Sequence, residues 1–347
     1  MRTASPDKSK SPKKNGEFSP IVPKVLDPTD ISHSKTIDTL LNQAPKVVYS
    51  EKLNEIVVAG YMNRDENYQL KVYDGKTLAQ KGEKEAHKHR IIRMVLLPDE
   101  LIATLSVDKT IKIWRLVGLA LVHEIQLKYD PCDICIHSNL KAAIIVGKSP
   151  NISCYNISSG SFIAEIQGGS TEGYNACAYL PSKNTLMASC INKHTIHVID
   201  CNTSVVLSTL EGGKDLTQVI GIQLIESVCQ VVSASDNGIC VWDLYDAANP
   251  KKLLEFAPPI NKITHFTVLP DEDAVLLTYN SPRIDIYRLS TGILLKSLPT
   301  KLQKCYDIAY AQAIDRIFVV DSQEGALGVL TKHAKSKKAQ CHGCSIF

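Results

Sequence analysis

The sequence predicts an all-β protein: a seven-bladed β-propeller closed by an N-terminal strand, with disordered basic tails at both ends. Three observations carry this. An aromatic or large apolar residue in a short alternating strand recurs at Tyr73, Trp114, Tyr155, Ile199, Trp242, Tyr287 and Leu330, with gaps of 41, 41, 44, 43, 45 and 43 residues. A second short apolar strand precedes each one, and polar turn residues separate strands roughly every 8–12 positions. Helical periodicity is nearly absent. A four-stranded sheet of this size buries its faces only against neighbours, so such repeats need a ring.

Taken in order, residues 1–30 are rich in Ser, Pro and Lys and nearly empty of large apolar side chains. They cannot bury enough surface to offset their ordering entropy and are expected to be disordered. Ser5-Pro6, Ser11-Pro12 and Ser19-Pro20 fit proline-directed phosphorylation, with a plain solvating tail as the bland alternative. Next, Lys35–Leu41 has the pattern of the outer strands Ser161–Ile166 and Ile293–Leu298. The seventh repeat lacks such a strand, because Lys-rich sequence follows it, so the N-terminal segment is expected to supply it. Residues 34–332 then form the ring, and 333–347 a basic tail.

The clearest repeat is Ala86–Leu116: a His, an apolar run ending Leu97-Pro98-Asp99, an alternating strand, Asp108-Lys109-Thr110, and Ile111-Lys112-Ile113-Trp114. This order resembles one WD repeat. The resemblance implies a hydrogen-bonded network of His87, Thr104 or Ser106, Asp108 and Trp114 tying the blade together. In the fifth repeat it reaches Asp236 and Trp242, but Gly212-Gly213-Lys214 stands where the His loop belongs. A Trp-Asp-x-Arg signature is absent: Arg115 follows Trp114, and Leu244-Tyr245 follows Trp242-Asp243.

Composition narrows the function classes. Hydrophobic residues make up 44% and charged residues 22%, as in soluble globular chains. Apolar runs of about half a dozen residues are too short to span a bilayer. Arg2 stands where N-myristoylation needs glycine. The eleven cysteines fall mostly in strand patterns of a chain without an export signal, and are expected to be reduced core thiols. Residues 1–24 carry six basic and two acidic side chains; Lys332, Lys335, Lys337 and Lys338 are unopposed in 331–347. Each end is thus +4, and the total of +3 leaves 3 − 8 = −5 for residues 25–330.

No motif specifies a reaction. Gly168–Gly173 and Glu211–Lys214 lack the spacing of a phosphate loop and read as inter-blade turns. Cys132 and Cys135 lie on opposite faces of a strand and have no second ligand pair nearby; His194 and His197 share that defect. No metal, cofactor or catalytic set is expected. The end Cys341-His342-Gly343-Cys344-Ser345-Ile346-Phe347 fits a prenylation box at Cys344, with Cys341 and the lysines as second signal. A half zinc site from Cys341, His342 and Cys344, or a tail without function, is the alternative there.

The resemblance implies a non-enzymatic scaffold that binds other proteins through its loop-rich rim, with His89, Arg90, Lys109, Lys214 and Asn237 as expected contacts. A tethered scaffold would be cytoplasmic, peripheral on a cytosolic membrane face and drawn to anionic lipid. One alternative is a soluble or nuclear adaptor whose basic tails contact nucleic acid, although two short basic tracts without a recognition fold argue against nucleic acid. A propeller hydrolase is the other alternative.

Overall fold

The computed structural model describes residues 31–62, 67–137, 140–213, 215–259 and 262–332. They form seven four-stranded antiparallel sheets. Blades one to six span residues 43–87, 91–126, 131–167, 174–211, 219–256 and 263–299. Blade seven joins residues 305–332 to the N-terminal strand Ile31–Asp38. The seven recurring bulky residues hold one register position. Tyr73, Trp114, Tyr155, Ile199, Trp242, Tyr287 and Leu330 face Ile56, Ile102, Ala143, Leu186, Val231, Val275 and Ile317 on their neighbouring strands. All seven are buried.

The core is a set of seven seams between adjacent blades. Trp114, for example, packs with Val57, Leu70, Val72, Ile91 and Ile102 between blades one and two. The innermost strands bulge at the same place in every blade, as at Ile91/Arg93, Pro131/Asp133 and Cys305/Asp307. A bulge breaks the two-residue alternation and re-aims side chains. Seven such bulges set what lines the upper end of the axis. Nine cysteines are described, all unpaired; Cys154, Cys177, Cys190, Cys240 and Cys305 are buried. Among the described residues no helix is long and apolar enough to cross a membrane.

Closure uses the N-terminal strand, with the expected segment Lys35–Leu41 contributing Lys35–Asp38 and the strand starting four residues earlier. The strand runs from Ile31, opposite Lys332, to Asp38, opposite Ala326. It stops there because the chain turns: Leu40 takes φ +58° and its N–H donates to Asp38 Oδ1 at 2.7 Å. Thr39–Leu41 is a latch. The Thr39 hydroxyl donates to the Gly325 carbonyl, the buried Lys71 ammonium donates to the Thr39 carbonyl at 2.8 Å, and Leu41 enters the seam between blades seven and one. Gly325 has φ +63°, and a Cβ there would strike the Leu41 carbonyl. On the opposite face Arg316 Nη1 donates to the Gly75 and Lys76 carbonyls at 2.6 and 2.8 Å.

Candidate interaction site

The strand order gives the ring two unlike faces. The lower face carries the turns from first to second and third to outer strands. It also carries both attachment points of the tails, since Ile31 lies opposite Lys332. Lys332 itself is engaged, its Nζ 3.2 Å from Glu272 Oε2. The upper face carries the inter-blade connections and surrounds the mouth of the axial channel.

The bulged residues form that mouth. Pro45, Ile92, Cys132 and Tyr306 line a cavity of about 570 Å³ together with Lys46, Arg90, Asp130 and Lys148. Ile220, Thr264 and Tyr306 line its continuation with Lys262, Lys304 and Asp236. Among the described residues the mouth thus holds five cations against two carboxylates, on a body whose net charge is negative. Asp130 is shared by Lys109 at 2.9 Å and Lys148 at 3.8 Å, which holds its carboxyl below the ordinary range.

Below the mouth, the residue after each bulge forms a belt around the channel: Lys46, Arg93, Asp133, Ala176, Gly221, His265 and Asp307. Arg93 Nε meets Asp133 Oδ1 at 2.8 Å, and His265 Nε2 meets Asp307 Oδ1 at 3.0 Å. The two carboxylates also staple blades: Asp133 accepts the Cys177 N–H and Asp307 the Val47 N–H. Burial pushes His265 down to about 4, with the charges of Lys46 and Arg93 adding to it against Asp307. Burial also lowers Lys46. It opposes ionisation of Asp307 too, but His265, Lys46 and the Val47 N–H outweigh it and keep that carboxyl low. Since each acid already has a base and an N–H, the belt is a satisfied network that fixes the mouth above it. The sequence reading missed it. A visible signal existed: ionisable residues occupy this one strand position in five of seven repeats.

In blade two the expected network residues meet. Asp108 Oδ2 lies 3.0 Å from His87 Nδ1, His87 Nε2 lies 2.7 Å from Thr104 Oγ1, and Trp114 Nε1 donates to Thr104 Oγ1 at 3.0 Å. The alternative at this position resolves to Thr104. Ser106 instead donates to the His89 carbonyl at 3.0 Å, and so holds the rim loop. Burial works to raise the Asp108 carboxyl; hydrogen bonds from His87 and Thr110 and the imidazole's charge override it and hold it far below the ordinary range.

Blade five differs from its expected reading. The His that Gly212-Gly213-Lys214 seemed to omit is supplied by His194, from a turn of blade four. His194 Nε2 lies 3.3 Å from Ser233 Oγ, which accepts the Trp242 Nε1–H at 3.1 Å. His194 Nδ1 lies 3.2 Å from the Thr217 carbonyl oxygen. Gly212 makes the space: a Cβ there would overlap the imidazole. Asp236 stays outside this relay and accepts the Thr217 hydroxyl.

Of the expected rim contacts, His89 and Arg90 are exposed on the upper face. Lys109 is tied to Asp130, and Asn237 holds its own loop by donating to the Asp215 carbonyl at 2.7 Å. Lys214, Ser5, Ser11, Ser19, Cys341 and Cys344 lie outside the described residues. Cys132 lines the mouth and Cys135 the channel; among the described residues no group of three or more His, Cys, Asp or Glu side chains could hold a metal.

A family model described as "Nucleolar protein 10-like, N-terminal domain" matches residues 43–325. Pre-mRNA-processing factor 19 of Oryza sativa subsp. japonica is 23% identical over 187 residues, 49% of this chain and 35% of that protein. The chain thus spans about a third of that relative's length.

Proposed function

Because the chain belongs to the family of nucleolar protein 10-like N-terminal β-propeller domains, we propose that it is a non-catalytic scaffold whose upper face holds partner proteins. The observation that carries this reading is the concave mouth, rich in cations and set on a belt of satisfied hydrogen bonds and ion pairs. A rigid concave surface loses little entropy on binding. The test is affinity purification of the full chain from its native cells. Wild type would be compared with a Lys148→Glu/Lys262→Glu variant of the mouth and with Phe162→Ser on an exposed outer strand. Discrete partners are expected with wild type and Phe162→Ser, and their loss with the double variant. A chain that returns alone in all three overturns the scaffold.

A thioether at Cys344 belongs to the same proposal. With Cys341 and the basic tails as second signal, it would set the protein on a cytosolic membrane face with the mouth turned away from the lipid. Phosphates on Ser5, Ser11 or Ser19 would weaken that attraction. Mass spectrometry of the C-terminal peptide decides it: an unmodified Cys344 in native protein removes the tether and leaves the scaffold.

A second reading, a nuclear adaptor whose tails contact RNA, is supported by the nucleolar description of the matching family and by both basic tails joining at one edge. It requires steeply salt-dependent RNA binding by the full chain, lost when the tail lysines are replaced.

A further inference from the structure

The groove leading out of the mouth specifies the chemistry of the partner, an inference that rests on the scaffold reading. A cavity of about 430 Å³ between blades one and two is lined by Tyr61, Tyr68, His89, Arg90 and Val107. Tyr68, Arg90 and Val107 also line the mouth, so the two spaces are continuous. The Tyr61 and Tyr68 rings lie 5.6 Å apart, and Val107 is 48% exposed. Together they form an apolar wall beside a cation. Among the described residues no hydrogen bond or ion pair holds the Arg90 guanidinium.

The loop that presents Arg90 is rigid, and the blade-two network makes it so. Ser106 Oγ donates to the His89 carbonyl at 3.0 Å, Val107 N–H to the Arg90 carbonyl at 3.0 Å, and Lys88 N–H to Asp108 Oδ2 at 3.3 Å. Asp108 is itself held by His87 and Thr110. The blade with the full relay therefore carries a loop whose arginine, among the described residues, stands free over the groove. Arginine and tyrosine at the edge of a pocket, on a backbone that need not be ordered, are what concentrates binding energy in a few contacts.

We infer that this groove binds an acidic, extended segment of a partner protein. Its carboxylate sits on Arg90, while an apolar or aromatic side chain lies against Tyr61, Tyr68 and Val107. Two features favour a peptide over nucleic acid. Lys46 is committed to Asp307 at 3.9 Å and to the Tyr306 ring at 5.6 Å, so the free cations are few and spaced. Asp130 stands among them and would repel a continuous phosphate track. The rest of the body is net negative, so an acidic segment is disfavoured elsewhere on the ring and steered to this face.

The experiment uses the full chain and a fluorescein-labelled ten-residue peptide of alternating Glu and Phe, followed by anisotropy at two salt concentrations. Saturable binding is expected, weakened by salt. Arg90→Glu should weaken it by at least about tenfold, while Lys301→Glu, an exposed cation outside the groove, changes nothing. The same peptide with Lys in place of Glu should not bind. Equal binding by Arg90→Glu overturns the inference, as does an oligouridine that binds more tightly than the peptide and depends on Arg90. Failure here is separable from failure of the scaffold. Partners that survive Arg90→Glu in the affinity purification sink the acidic groove alone, whereas a chain that recovers no partner sinks both.

Discussion

Blades two and five build the same tie by different routes. In each, a tryptophan N–H meets a hydroxyl and the hydroxyl meets an imidazole: Trp114–Thr104–His87 in one, Trp242–Ser233–His194 in the other. The imidazoles arrive from different places. His87 ends the outer strand of blade one, whereas His194 comes from a turn of blade four over a bare Gly212. Their far sides differ as well: a carboxylate in blade two, a backbone carbonyl in blade five. What is constrained is the buried indole N–H, which must find an acceptor in the seam, and not the position in sequence that serves it. The carboxylate adds a charge-assisted bond and anchors the rim loop. In blade two the relay itself therefore stiffens the binding edge.

The largest expected effect tests the shared part. Trp114→Ala and Trp242→Ala should each cost about 3–5 kcal/mol, through lost burial and the cavity left in the seam. Denaturant midpoints measure this, and a large difference between the two would break the equivalence. The unshared part comes next. Asp108→Ala should cost about 2–3 kcal/mol because it takes the carboxylate from a buried imidazole and from the Lys88 N–H of the rim loop, and Asp236→Ala less than about 1 kcal/mol because it loses only a surface hydroxyl.

A glycine pair sharpens the blade-five side. Gly212→Ala drives a methyl into His194 and should cost about 2 kcal/mol, whereas at Gly213 the new methyl meets only the end of the Glu255 side chain. The effects of Gly212→Ala and His194→Ala should not add, since both undo one contact. Full additivity in a double-variant cycle would show that His194 is not what Gly212 accommodates.

The last test is in acid. Burial lowers His194, with the Thr217 carbonyl opposing, and pushes His265 to about 4. A base whose folded pKa lies below its unfolded value near 6.5 binds fewer protons when folded. Stability therefore falls as pH drops from about 6.5 towards 4, by at most about 1.4 kcal/mol per pH unit for each group. Asp108 behaves in the opposite window: its contribution is intact above about pH 4 and is lost as pH falls further. In urea titrations across pH, His194→Gln and His265→Gln should flatten the upper limb. Asp108→Asn should leave that limb and shallow the lower one. A wild-type curve flat between pH 6.5 and 4 would contradict both histidine assignments.

The sequence by itself determined the ring. A period of 41 to 45 residues with one bulky side chain per copy is a local, repeated pattern, and burying each sheet on both faces leaves it no other stable arrangement. Blade two was legible for the same reason, since its relay is written within one repeat. Three things were decided only in three dimensions. The closing strand runs from Ile31 to Asp38, not Lys35 to Leu41, because Thr39 and Leu41 answer to Gly325 and the seam of blade seven, nearly the whole chain away. His194 serves blade five because the turn of blade four passes over Gly212, a contact that spacing within one repeat does not encode. The belt of Lys46, Arg93, Asp133, His265 and Asp307 exists only where seven strands converge on one axis. Repetition is visible in a line of residues; proximity between repeats is created by the closed ring.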